Sequence, residues 1–229
     1  MCSKKLGTPG TATSQSPLMA REFFVTGTDT GVGKTVLSAL LCAALDAVYW
    51  KPIQTGSVEG TDRATVIRCA EIPPSRTREE SYIFDPPVSP HLAARWAKAS
   101  IELGSIRKPA VAPDETLVME GAGGALVPVN DSEFMIDLMR HLGAPVILAS
   151  RSSLGTINHT LLSLAALRRA ELLIFGVALI GEPNADNREA IETYGKVRVV
   201  GEIPLLAAIN REALREVFRH HFNAEAFDA

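Results

Sequence analysis

The segment Gly27-Thr-Asp-Thr-Gly-Val-Gly-Lys-Thr35 constrains this chain more than any other stretch. It stands between an apolar run, Glu22–Thr26, and a stretch, Lys34–Leu45, whose Leu37, Leu40, Leu41 and Leu45 recur at helical spacing. A strand that turns through glycines into a helix gathers backbone N–H groups at the positive end of that helix, where an anion is held. Gly31 and Gly33 let the backbone curl, Lys34 offers charge to outer phosphates, and Thr35 offers a hydroxyl to Mg²⁺. The strict spacing needs a glycine where Thr28 stands, so counted from Gly27 the loop is one residue longer. The ordinary alternative is a glycine-rich strand–helix turn without a ligand. The Gly-Lys-Thr ending in this context favours a nucleotide.

The rest of the chain alternates in the same way. Ala47–Lys51, Thr116–Glu120, Pro145–Ala149, Leu173–Ile180 and Val197–Val200 read as strands. Helices are expected over Thr61–Glu71, His91–Ala99, Ser132–Leu142, Thr156–Arg169, Asn187–Tyr194 and Asn210–His221. The Ser132–Leu142 helix faces inward through Phe134, Leu138 and Leu142, and the Thr156–Arg169 helix through Ile157, Leu161, Leu164 and Ala165. Residues 72–90 carry five prolines and read as a loop. Unbroken apolar strands alternating with helices imply an α/β fold of three layers, with a mostly parallel sheet and helices on both faces.

Residues 1–20 read as a disordered leader, with six Ser or Thr, two Lys and no acid, and Met19 as an alternative start. Residues 21–229 then form one domain. Within 229 residues, 46% are hydrophobic and the formal charge is −3, which excludes a disordered chain. The slightly acidic balance without a basic run argues against nucleic acid or a membrane surface as partner. No apolar stretch is long enough to span a bilayer. Three scattered cysteines fit a reducing, cytoplasmic setting, with Cys42 in the core. His220 and His221 are adjacent on a helix and point apart, so they make no metal site.

Two more strand ends stand out. Glu120-Gly-Ala-Gly-Gly124 would put a carboxylate at the carboxyl edge of the sheet, where α/β folds bind ligands; the alternative is a solvated acid before a turn. Lys51, in Lys51-Pro-Ile-Gln-Thr-Gly56, is equally well read as a surface amine, and Asp62 as an acid complementing a helix dipole.

Taken in order, Gly27–Thr35, Lys51-Pro, Ser89-Pro-His91, Glu120–Gly124, Gly155-Thr-Ile-Asn-His159 and Gly201-Glu-Ile-Pro204 resemble the motifs of dethiobiotin synthetase, from about Arg21 to the last helix. The resemblance implies a P-loop NTPase-like fold and a ligase of biotin biosynthesis. Such an enzyme joins 7,8-diaminononanoate and CO2 with ATP as co-substrate and Mg²⁺ as cofactor. A substrate carbamate attacks the γ-phosphorus to give a carbamic–phosphoric anhydride. The second amine then closes the ring and expels phosphate.

By the same resemblance, Lys34 holds the outer phosphates and Lys51 the carbamate and transferring phosphoryl group. Thr35, Asp62 and Glu120 ligate Mg²⁺ directly or through water, while Thr30 and the backbone of Gly31, Val32, Gly33, Lys34 and Thr35 line the phosphates. Gly121, Ala122, Gly123, Pro204, Leu205 and Leu206 complete the nucleotide site, and Thr55 faces the diamine. The family is a homodimer with sites at the interface, so the diamine's carboxylate would reach Gly155, Thr156 and Asn158 of a neighbouring subunit. His159 is left a structural role.

This chain departs from the family pattern where an Asn that reads adenine is common: Ile180-Gly181 stands there. An aliphatic side chain offers neither donor nor acceptor to a base, so relaxed base selection is expected. Thr55, where serine is common, and a short connection between Ser100 and Glu115 are lesser departures. Three rival readings compete with this one. Amidotransferase-coupled synthetases need a glutaminase domain for which 229 residues leave no room. Switch ATPases that dimerise on nucleotide carry an early loop lysine, where Asp29 stands here. A catalytically inert nucleotide-binding protein fits poorly with Lys34, Thr35, Lys51, Asp62 and Glu120 all being present.

Overall fold

In the first strand, β1 (Arg21–Gly27), alternate side chains part company. Phe23 and Val25 enter one apolar cluster and Phe24 the other, so both faces of the sheet are covered. The structure, a computed structural model, describes residues 21–227; the expected leader lies outside the described residues.

The chain continues through α1 (Lys34–Leu45), β2 (Val48–Trp50), β3 (Ile53–Thr55) and α2 (Asp62–Ala70). It then forms β4 (Thr77–Arg78), β5 (Tyr82–Phe84), α3 (Pro90–Trp96) and β6 (Thr116–Gly124). The second half runs α4 (Met135–Leu142), β7 (Val146–Arg151), α5 (Thr156–Arg169), β8 (Ile174–Ile180), α6 (Ala185–Gly195), β9 (Val199–Ile203) and α7 (Arg211–His221). Seven strands make one sheet in the order β4-β2-β6-β1-β7-β8-β9, every pair parallel. Core side chains from α1, α2 and α7 fill one face, and those from α3, α4, α5 and α6 the other. This is the three-layer α/β arrangement expected from the alternation.

Several local expectations are corrected. The proline-rich stretch 72–90 is not all loop, because β5 pairs in parallel with β3 in a small second sheet and β4 extends the main one. Prolines at 73, 74, 86 and 87 flank these strands rather than interrupt them, so no ladder donor is missing. β6 runs on through Gly124, which places Glu120 in mid-strand. α4 begins at Met135; Phe134 caps it, 41% exposed, and its backbone N–H donates to Asp137. The buried face of α5 is Thr156, Thr160, Leu164 and Leu167, while Ala165 is exposed. Two threonines reach the core there because Ser150 supplies hydroxyl partners, which apolar periodicity does not reveal.

Candidate active site

The phosphate loop joins the end of β1, the central strand of the seven, to α1. Gly31 and Gly33 have φ of +69° and +102°, the left-handed region that glycine occupies without a steric cost. A side chain at Gly33 would also meet Ile180, whose Cδ1 lies 2.9 Å from the place a Cβ would take. Val32 is buried, anchoring the loop in the core. Lys34 Nζ donates to the Asp29 carbonyl at 2.9 Å, across the loop. Burial lowers its pKa against the opposing pull of Glu120.

A cavity of about 310 Å³ opens beside this loop, and its walls gather residues from four separate parts of the chain. Thr30, Gly31, Gly33, Lys34 and Thr35 come from the loop and α1, Lys51 and Thr55 from the β2–β3 region. Asp62 comes from the start of α2, and Glu120, Ala122 and Gly123 from β6. Thr35 Oγ1 stands 2.7 Å from Asp62 Oδ1 and 2.9 Å from Glu120 Oε1. Lys51 Nζ donates to Asp62 Oδ2 at 2.5 Å and to Glu120 Oε1 at 3.2 Å.

Lys51 is 5% exposed and Glu120 is 1%, so neither the surface amine nor the solvated acid describes them. Burial opposes the charge on Lys51, but Glu120 and Asp62 outweigh it and hold the amine's pKa above its usual value. Burial likewise opposes ionisation of Asp62, and the Lys51 charge with hydrogen bonds from Lys51 and Thr35 overcomes it, lowering the carboxyl pKa. Asp62 is therefore more than a dipole complement.

Two carboxylates and a hydroxyl converging on one place form a hard-oxygen donor set. Among the described residues no three His, Cys, Asp or Glu side chains gather as a metal cage. That combination fits Mg²⁺, which is held by one or two carboxylates together with phosphate oxygens and water.

Other expected positions fall elsewhere. Gly121 is buried in β6, where a Cβ would come within 3.0 Å of the Phe24 ring. Leu205, 72% exposed, borders a second cavity of about 420 Å³ next to the loop with Ile180, Gly181 and Pro183. Pro204 and Leu206 line neither cavity. Gly155, Thr156 and Asn158 start α5 and do not line the Lys51 cavity. The Thr156 hydroxyl is turned into the core, 2.9 Å from Ser150 Oγ, and its backbone N–H donates to Ser153 O at 3.1 Å. Cys42 is buried, and burial pushes its thiol pKa up; His159, His220 and His221 are exposed.

Sequence reasoning missed Ser38 and Tyr49, which donate to Glu120 Oε2 at 2.8 and 3.1 Å. A signal was available: Ser38 follows Thr35 by three residues on a helix, and Tyr49 precedes Lys51 by two along an extended segment. Arg151 was also missed; it pairs with Asp29 at 3.3 Å and lines the second cavity.

A family model described as an AAA domain matches residues 21–213. The ATP-dependent dethiobiotin synthetase BioD of Rhodopseudomonas palustris (strain HaA2) is 44% identical over 209 residues, covering 91% of this chain and 97% of the relative. The chain belongs to the dethiobiotin synthetase family. A second member, from Paramagnetospirillum magneticum, is 50% identical over 189 residues, covering 82% of this chain and 90% of its own. Membership makes the chain a ligase and accounts for the run of motifs from the phosphate loop to Gly201-Glu-Ile-Pro204.

Among solved structures, the cell division ATPase MinD of Pyrococcus furiosus matches with a TM-score of 0.53 at 20% identity, covering 91% of this chain and 95% of that one. The septum site-determining protein MinD of Pyrococcus horikoshii, solved with Mg-ADP, gives 0.51 at 18%, covering 91% and 93%. These two share the fold. No helix among the described residues is long and apolar enough to cross a membrane.

Proposed function

We propose that this chain performs the ATP-dependent closure of 7,8-diaminononanoate with CO2 to dethiobiotin, releasing ADP and phosphate, as a step of biotin biosynthesis. The observation that carries this reading is the second buried lysine, Lys51, facing the phosphate-loop lysine's cavity between two carboxylates. Nucleotide hydrolysis alone needs no such group. A reaction that brings a carbamate anion to an anionic phosphoryl group does, because positive charge must offset their repulsion.

In the proposed sequence one substrate amine forms a C–N bond to CO2 and loses a proton, giving the carbamate. A carbamate oxygen then bonds to the γ-phosphorus as the bond to the ADP oxygen breaks. The second amine attacks the carbamoyl carbon and gives up a proton, the ring closes, and phosphate leaves with the pair of electrons from the C–O bond. Lys34 and the backbone N–H groups of residues 31–35 hold the phosphates, and Lys51 holds the carbamate against the γ-phosphoryl group. Thr35, Asp62 and Glu120 would hold Mg²⁺, which when bound neutralises charge on the phosphate oxygens. Thr55, on the cavity wall, faces the diamine.

The start of α5 has Gly155 at φ +94°, a Thr156 N–H that donates to Ser153 O and no side-chain cap, so the N–H groups of Ile157 and Asn158 would suit a carboxylate tail. Because it does not border the same chain's Lys51 cavity, the reading places it in the site of a second subunit within a homodimer. The protein is read as cytoplasmic, with neither nucleic acid nor membrane as partner.

The competing reading, a switch ATPase acting by nucleotide-dependent dimerisation, shares the fold of the MinD structures. Phosphate release from ATP, measured with and without the diamine and bicarbonate, separates the two. Release that depends on the diamine and yields a cyclic urea supports the ligase. Release indifferent to the diamine overturns it.

A further inference from the structure

Glu120 is 1% exposed, and a carboxylate buried to that degree needs a donor at each lone-pair position. Four polar side chains surround it, divided by direction, and the single Thr35 proton is shared between Glu120 and Asp62. Oε1 faces Thr35 and Lys51, both on the cavity wall. Oε2 faces Ser38 and Tyr49, which are 0% exposed and line no part of that cavity.

Sheet register explains why Tyr49 can reach. It lies opposite Val118 in the β2–β6 pairing, and Glu120 is the next residue of β6 on that same face. Diagonal neighbours on one face of a sheet are within reach of a long aromatic side chain. A phenol at that place is not required by packing, since its neighbours in the cluster are apolar.

We propose that Tyr49 is a positioning residue for metal binding: with Ser38 it pins Oε2 to the fold, so that Oε1 alone is presented to the cation. This rests on the reading of Glu120 as a Mg²⁺ ligand. Without the Tyr49 hydroxyl the carboxylate keeps one anchor on Oε2 and can rotate away from the cation. Loss of a hydrogen-bonding partner of a ligating side chain weakens metal binding by about 10- to 100-fold.

The test uses Mn²⁺ as the probe, with free Mn²⁺ read by electron paramagnetic resonance on the full chain saturated with ADP. Tyr49→Phe keeps the ring and removes one oxygen. It is expected to weaken Mn²⁺ binding about tenfold while ADP affinity in the presence of EDTA stays within about twofold. A purely structural role for Tyr49 would change both or neither. Should Tyr49→Phe fail to fold, Ser38→Ala carries the same test, because it removes the other donor to the same oxygen. Glu120→Gln is measured alongside. If it weakens Mn²⁺ binding and the Tyr49 and Ser38 variants do not, the positioning role is overturned. If Glu120→Gln leaves Mn²⁺ binding unchanged, Glu120 is not a ligand and the proposal falls with that reading.

Discussion

The ammonium of Lys51 lies 3.2 Å from Glu120 Oε1, with 6% of the lysine side chain and none of the glutamate side chain exposed. Sixty-nine residues separate them in sequence, and adjacent parallel strands bring them together. Removing one partner from a buried pair leaves an uncompensated charge, which costs on the order of 3–5 kcal/mol. Lys51→Gln is therefore expected to keep its far-UV circular dichroism but melt at a lower temperature. Turnover should fall by at least about 100-fold, the scale on which removing one transition-state donor acts. Near-normal phosphate release with the diamine and bicarbonate would remove Lys51 from the reaction.

Gly33 is constrained twice, by φ of +102° and by the Ile180 side chain. An alanine there meets both the left-handed penalty, roughly 1–2 kcal/mol, and a contact closer than carbon atoms tolerate. Gly33→Ala should lose ADP binding by about tenfold or more with little change in the rest of the fold. Calorimetric titration with ADP measures it, and unchanged affinity would contradict the strained-loop account.

Ile180 and Leu205 line the cavity beside the loop, together with Pro183, and none offers a side-chain hydrogen bond to a base. Of the polar side chains on that wall, Arg151 pairs with Asp29 and Asn184 accepts from the backbone of Asn187; Ser152, Ser153 and Glu182 line it as well. Values of kcat/KM with ATP, GTP and CTP are expected to lie within about tenfold of one another, because unpaired polar groups in the site are what reject a wrong base strongly. A preference for ATP of a hundredfold would overturn relaxed base selection.

Asp62 has a carboxyl pKa below its ordinary 3.8, held down against burial by Lys51 and Thr35. A group depressed on folding contributes stability above its unfolded pKa and loses it as pH falls through the folded value. The melting-temperature gap between the wild type and Asp62→Asn should be widest near neutral pH and close as pH drops below about 4. A gap that stays constant through that range would mean the ion pair does not set it.

Much of the fold was legible because it is written locally. β1, α1 and β7 follow from unbroken or helically spaced apolar runs, and the loop between β1 and α1 from its glycines and their Gly-Lys-Thr ending. The short strands β3, β4 and β5 were not legible: each has only two or three residues and exists because a distant partner completes its hydrogen bonds. Phe134 misled for a related reason. Its spacing matches Leu138 and Leu142, but the helix begins one residue later and leaves the ring outside the apolar stripe.

The phosphate loop, the alternation of strands and helices and the family's run of motifs are determined by the order of residues alone, since each depends on neighbours within a few positions. What Lys51, Asp62 and Glu120 do was open at that level, because an isolated charged residue is most often solvated. Parallel pairing of β2 with β6, and packing of α1 across them, buried these charges against one another. Lys51 and Glu120 are shut away from water and Asp62 partly so, which leaves Thr35 as a partner to both carboxylates and Ser38 and Tyr49 as partners to Glu120, and tertiary structure alone decides that.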